Sequence, residues 1–131
     1  MESDIAAAIS FNNMSVLCLK QGNYLEGLKA SKKAGLLMEP WVFSHPTGMT
    51  EERLQILLIA YFNMAICCEK VGDIPYAKKV LDYGVSISQA QLGTENFFTT
   101  KFKRKLTSVT SKLVSPFSSQ TRSQYQDVDQ H

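Results

Sequence analysis

The stretch FNNMSVLCLKQGNY at residues 11–24 returns as YFNMAICCEKVGDI at residues 61–74, an offset of 50 positions (63 minus 13). Asn13 falls on Asn63, Met14 on Met64, Cys18 on Cys68, Lys20 on Lys70 and Gly22 on Gly72. Softer matches join them: Phe11 with Tyr61, Ser15 with Ala65, Val16 with Ile66 and Asn23 with Asp73. Further along, Gly27 meets Ala77, Ala34 meets Gly84 and Leu37 meets Ile87. Self-similarity at a fixed interval marks a duplicated supersecondary unit. The identities cluster where two helices would meet and turn, and the matched small residues suit close packing of an antiparallel helix pair.

Working outward, breakers divide the chain. Gly22-Asn23 and Gly72-Asp73 each separate two long segments of helical spacing, residues 40–48 (PWVFSHPTG) form a longer interruption, and Gly93-Thr94 a short one. Five helices are predicted, over about residues 4–21, 24–38, 51–71, 73–92 and 95–114. Thr50 and Asp73 are natural N-caps, Glu51 and Glu52 suit the positive helix end, and Pro75 sits in a first turn. In the fifth segment Phe98, Phe102, Leu106, Val109 and Leu113 fall on one helical face. No stretch alternates with period two, so the expected class is all-α. Residues 115–131, poor in large apolar side chains, are expected to be a disordered tail.

Composition bounds the function. The 131 residues are 44% hydrophobic and 20% charged with a net charge of +2, which is globular and argues against a dedicated nucleic-acid binder. Three cysteines, two of them adjacent, do not make a secreted disulfide framework and point to a reducing compartment. The N-terminus carries Glu2 and Asp4 without early Lys or Arg, unlike a secretory or mitochondrial signal. The most apolar run, ILLIAYFNMAICC at residues 56–68, is 13 residues long and reads as a buried core helix, because a membrane span needs about 20.

The duplicated pattern resembles the tetratricopeptide repeat (TPR), a helix–turn–helix unit of about 34 residues. The first copy carries Phe11, Asn13-Met14-Ser15, Gly22-Asn23-Tyr24, Gly27 and Ala34, with Pro40 near the usual closing proline. The second carries Tyr61, Asn63-Met64-Ala65, Gly72-Asp73-Ile74, Ala77 and Gly84. Leu92-Gly93-Thr94-Glu95, followed by Phe97-Phe98-Thr99, looks like the junction in degenerate kinesin-light-chain-like arrays, a type also seen in protist TPR proteins. The resemblance implies a TPR-like α-α superhelix of two hairpins and a C-terminal capping helix, either a short member or a terminal piece of an array. Repeat one would span about 5–40, an insertion about 41–56, repeat two about 57–92 and the cap about 95–114. The 50-residue interval, Ser31 at a position usually large and apolar, and the missing second closing proline depart from the family pattern. A generic helical bundle is the alternative.

Catalytic chemistry has little to stand on. The histidines are His45, in the insertion, and His131; no acid is placed beside His45 by helical spacing, and no G-x-S-x-G turn occurs. Cys67 and Cys68 point about 100° apart on a helix, so one metal would suit both poorly, and core packing is the expectation for them and for Cys18. No cofactor and no metal are expected. The basic cluster Lys101, Lys103, Arg104, Lys105 and Lys112 reads first as the solvated face of an amphipathic helix, with an acidic partner or phosphates as the sharper alternative.

In TPR proteins the first helix of each pair lines a concave groove, and its Asn holds a bound peptide backbone; Asn13 and Asn63 match that position. The resemblance thus implies a non-catalytic protein-interaction adaptor taking a peptide or helix, with Asn13, Val16, Lys20, Asn63, Ile66, Lys70, Lys101 and Lys105 as partner-binding residues. Only part of the family's dicarboxylate clamp is present, because Asn12 and Val16 stand where its Lys and Asn would be. That argues against chaperone-tail binding. The rival readings are a structural helical subunit of a cytoskeletal or ciliary assembly, and a basic-helix binder of nucleic acid or membrane surfaces. A cytoplasmic location is expected. Residues 1–114 give two repeats and a cap, fewer than the three or so units a stack usually wants, which itself points to a partner.

Overall fold

A computed structural model describes residues 2–44 and 49–114; His45, His131 and the 115–131 segment lie outside these. The described residues form five α-helices and no strand: α1 (Glu2–Lys20), α2 (Tyr24–Glu39), α3 (Glu51–Lys70), α4 (Ile74–Leu92) and α5 (Phe97–Val114). The fold is all-α. Thr50 Oγ1 accepts from the Arg53 N–H at 3.1 Å and Asp73 Oδ1 from the Tyr76 N–H at 3.2 Å, so both expected caps form.

The duplication is visible atom by atom at the two hairpin turns. The Asn23 N–H donates to the Cys18 carbonyl at 2.8 Å, and the Asp73 N–H to that of Cys68 at 2.9 Å. Inside each loop the Gly22 N–H donates to the Leu19 carbonyl at 3.2 Å and the Gly72 N–H to the equivalent Glu69 carbonyl at 3.1 Å. Gly22 and Gly72 have φ of 79° and 93°, the left-handed conformation in which a Cβ is penalised. Together these bonds make a Schellman motif closing α1 and α3.

Helix α3 is central. It touches α1, α2, α4 and α5, whereas the backbones of α2 and α4 do not come close to each other. That gives a repeat-like packing in two layers, α1–α3–α5 on one side and α2–α4 on the other. A helix covered on most sides must be apolar around most of its circumference. Accordingly Leu54, Leu57, Leu58, Ala60, Tyr61, Ala65, Cys67 and Cys68 are all buried, and the 56–68 run is core. The matched small residues sit at close approaches: Ser15, Ala34, Ala65 and Ala77 are fully buried. A methyl on Gly27 would meet Cys67 Sγ at 3.0 Å and Cys18 Cβ at 3.3 Å, where α1, α2 and α3 converge. Ser31 is buried too and satisfies its hydroxyl on the Leu28 carbonyl at 3.0 Å.

One expectation needs correction. The chain does not leave helical geometry at Pro40; it continues as a π-helical turn over Pro40–Ser44. The wider i→i+5 pattern spares the carbonyl with which a proline ring would collide in an α-helix. Trp41 Nε1 donates to Asp4 Oδ2 at 3.1 Å and so ties this turn back to the start of α1.

Candidate functional site

The expected partner-binding residues fall into three groups. Asn13, Val16 and Lys20 are exposed on α1. On α3, Lys70 is exposed and Ile66 half-buried, while Asn63 is only 6% exposed. On α5, Lys101 is exposed and Lys105 half-buried.

Asn13 and Asn63, matched in sequence, are not matched in environment. Ile56 and Cys67 of α3 meet α1: the Ile56 carbonyl accepts from Asn12 Nδ2 at 3.2 Å, and Cys67 Sγ lies 4.0 Å from Ser15 Oγ. With Ala60 and Asn63 they form one buried stripe at helical spacing. The positions 50 residues earlier, Ala6, Ser10, Asn13 and Leu17, are all exposed, because no described helix lies on that side of α1. Among the described residues, neither Asn63 Nδ2 nor Asn12 Oδ1 has a hydrogen-bond partner, and both atoms are buried. Leaving such a group unpaired costs about 1–3 kcal/mol.

Beside this seam runs an apolar set that also obeys the repeat. Ile9 and Ile59, related by the same offset, are 43% and 39% exposed; Val16 is 39% exposed, opposite its counterpart Ile66. With Lys20 and Lys70 at matched positions, the α1/α3 surface is mixed in character, apolar along its length and cationic at one end.

The α5 lysines are spoken for in part. Lys101 Nζ lies 4.6 Å from the Phe62 ring centroid and 5.4 Å from that of Phe97. Lys105 Nζ reaches Glu69 Oε1 at 2.6 Å, and Lys112 pairs with Glu69 Oε2. The Glu69 side chain is 5% exposed. Burial works to raise its pKa, but the two ammonium groups outweigh it and hold the carboxyl below the usual carboxylate range. This arrangement fastens α5 to α3, leaving Lys103 and Arg104 exposed.

The cysteines are free thiols. Burial pushes the Cys68 thiol up to about 12 and raises that of Cys67 as well, so both are protonated at neutral pH.

Residues that sequence reasoning missed line a cleft of about 540 Å³ on the other layer, between α2 and α4 over the flank of α3. Its walls include Tyr61, Tyr76 and Tyr83. Tyr61 had a ready explanation as a core aromatic matched to Phe11. The available signal was the seven-residue spacing of Tyr76 and Tyr83, two turns apart on one helix face.

Comparison of the chain with protein-family models, with curated proteins and with solved structures finds no match. Among the described residues no helix is long and apolar enough to cross a membrane.

Proposed function

We propose that the chain is a TPR-like module acting without catalysis as a protein-interaction adaptor, holding an extended peptide or a helix of a partner protein across the α1/α3 face. The observation that carries this reading is the repeat-related apolar set of Ile9, Val16, Ile59 and Ile66 beside two buried carboxamides that each keep one unpaired atom, Asn12 Oδ1 and Asn63 Nδ2. Apolar side chains would supply the burial, and a peptide backbone would supply the donor and acceptor that Asn12 and Asn63 lack. Lys20, Lys70 and Lys101 would favour acidic residues at the partner's ends. Cytoplasm is the setting in which free thiols and such an adaptor fit together.

The test places a photocrosslinking residue at Val16 and, as a control, at Leu36, which is 69% exposed on α2. Partner peptides should crosslink from position 16 and not from position 36. Undiminished recovery of every partner by a folded Val16→Asp/Ile59→Asp variant would overturn the assignment.

A second reading, a helical subunit of a cytoskeletal or ciliary assembly, is favoured by the open side of α1. Met14 and Leu17 are 50% and 54% exposed there, as a face awaiting another helix would be. Such a subunit should aggregate or melt early in isolation, whereas the adaptor should be a folded monomer. The basic-helix alternative draws less support, because Lys105 and Lys112 already neutralise Glu69.

A further inference from the structure

We propose that the cleft between α2 and α4 is an aromatic cage for a methylated ammonium group, of the kind carried by a trimethylated lysine side chain or a choline headgroup. This site lies on the opposite layer from the α1/α3 face and does not depend on the adaptor reading.

The rings supply the first argument. Tyr61 and Tyr83 meet with centroids 5.5 Å apart and planes tilted by 51°, forming an angled corner rather than a flat stack. Phe43 neighbours this corner, its ring 6.5 Å from that of Tyr83 and tilted by 45°. The π-helical turn Pro40–Ser44 delivers Phe43 to this place, and π-turns concentrate at functional sites. Tyr76 lines the same cleft from α4, two turns before Tyr83. A volume of about 540 Å³ is ample for a trimethylammonium head and part of its chain.

Charge supplies the second. Glu39, at the end of α2, accepts a 2.6 Å hydrogen bond from the Tyr61 hydroxyl and has no cationic partner among the described residues. Burial and then the neighbouring Glu39 carboxylate raise the Tyr61 pKa, which keeps the phenol a neutral donor. Asp82, also on the wall, is engaged by Lys78 at 2.9 Å. Lys79 lines the cleft as an opposing charge. Lys32 of α2 lays its ammonium 5.4 Å from the Tyr76 ring centroid at the cleft's edge, where solvent can still meet its N–H donors.

The ligand's chemistry follows from what the cleft lacks. A bare ammonium is strongly hydrated and wants three acceptors, which one carboxylate and aromatic faces do not replace. Methylation removes those donors, spreads the charge over apolar surface and suits ring faces.

The test is NMR titration of the full chain with choline, with N-acetyl-trimethyllysine amide, with the unmethylated lysine amide and with 3,3-dimethylbutanol, the neutral isostere of choline. At least one methylated cation should give saturable shifts of the Tyr61, Tyr76 and Tyr83 ring resonances. The neutral isostere and the unmethylated lysine should bind about tenfold more weakly. Choline binding alone assigns the headgroup as source; trimethyllysine binding alone assigns the side chain. Tyr83→Ala should weaken binding about tenfold, and Glu39→Gln should do so without removing a ring. Tyr83 is 49% exposed, and Tyr83→Leu serves if the alanine variant does not fold. Equal affinity for choline and its neutral isostere, or no saturable shift with either cation, would overturn the proposal.

Discussion

Gly84 lies so close to Phe102 that a methyl group on its α-carbon would stand 2.2 Å from the ring's Cε1. Phe102 is fully buried and packs edge-on against Phe62, so it has nowhere to retreat. The absent side chain is therefore what lets α4 and α5 dock. Gly84→Ala is expected to destabilise the fold by about 1–3 kcal/mol through overpacking. Gly35 is the internal control: its added methyl would meet the Tyr61 ring at 3.7 Å, an ordinary contact. Gly35→Ala should stabilise by about 0.5–1 kcal/mol, since a helix-interior glycine is replaced without a clash. Opposite shifts in the urea midpoint of the two variants are the check.

The Glu69 pairings with Lys105 and Lys112 carry a pH signature. The folded-state pKa lies below the ordinary value of 4.5, so the stabilisation is fully present above that value. It is lost as pH falls through the lower folded-state pKa. Glu69→Gln should cost about 1–2 kcal/mol at pH 7, moderated by the partial exposure of both lysines. The difference between wild type and variant should shrink as pH falls below 4.5. Thermal unfolding of both proteins between pH 3 and pH 7 measures the difference directly.

At the two hairpin turns the backbone alone sets the cost. Neither Gly22 nor Gly72 has any atom within 4 Å of a would-be Cβ, yet both have positive φ. Gly22→Ala and Gly72→Ala should each lose about 1–2 kcal/mol. Asparagine, which tolerates the left-handed region better, should lose less at either site. Denaturant titration of the four variants tests both the magnitude and its equality across the repeat.

Thiol chemistry should sort the cysteines by burial. Cys18, half-buried, is expected to alkylate first in native protein at pH 7, with Cys67 and Cys68 modified only as the chain opens. Mass spectrometry after timed iodoacetamide exposure, with and without urea, reads the order. Rapid native modification of Cys68 would contradict its place in the core.

Much of the fold was legible because it rests on local rules. Thr50 and Asp73 cap as their side chains dictate, and every apolar residue of the Phe98–Leu113 stripe is at least half-buried. The candidate site was less legible, because exposure depends on which neighbours a helix has. Asn13 and Asn63 share a repeat position, yet only α3 has a helix on that side. Likewise nothing local joins Glu69 to Lys105 and Lys112, which lie 36 and 43 residues away. The π-turn at Pro40 escaped because a proline in a helical context ordinarily signals a stop.

The central position of α3 has a consequence for how the molecule comes apart. In a linear stack each unit rests only on its neighbours, so the ends can open while the middle holds. Here α2 and α4 pack directly on α3, which supplies most of the buried leucines, while α1 rests mainly on α2 and α5 mainly on α4. Its amides should therefore exchange with solvent only through global opening, while α1 and α5 can fray one at a time. Hydrogen exchange would then show one slow block, residues 54–68, with the rest of the chain graded around it.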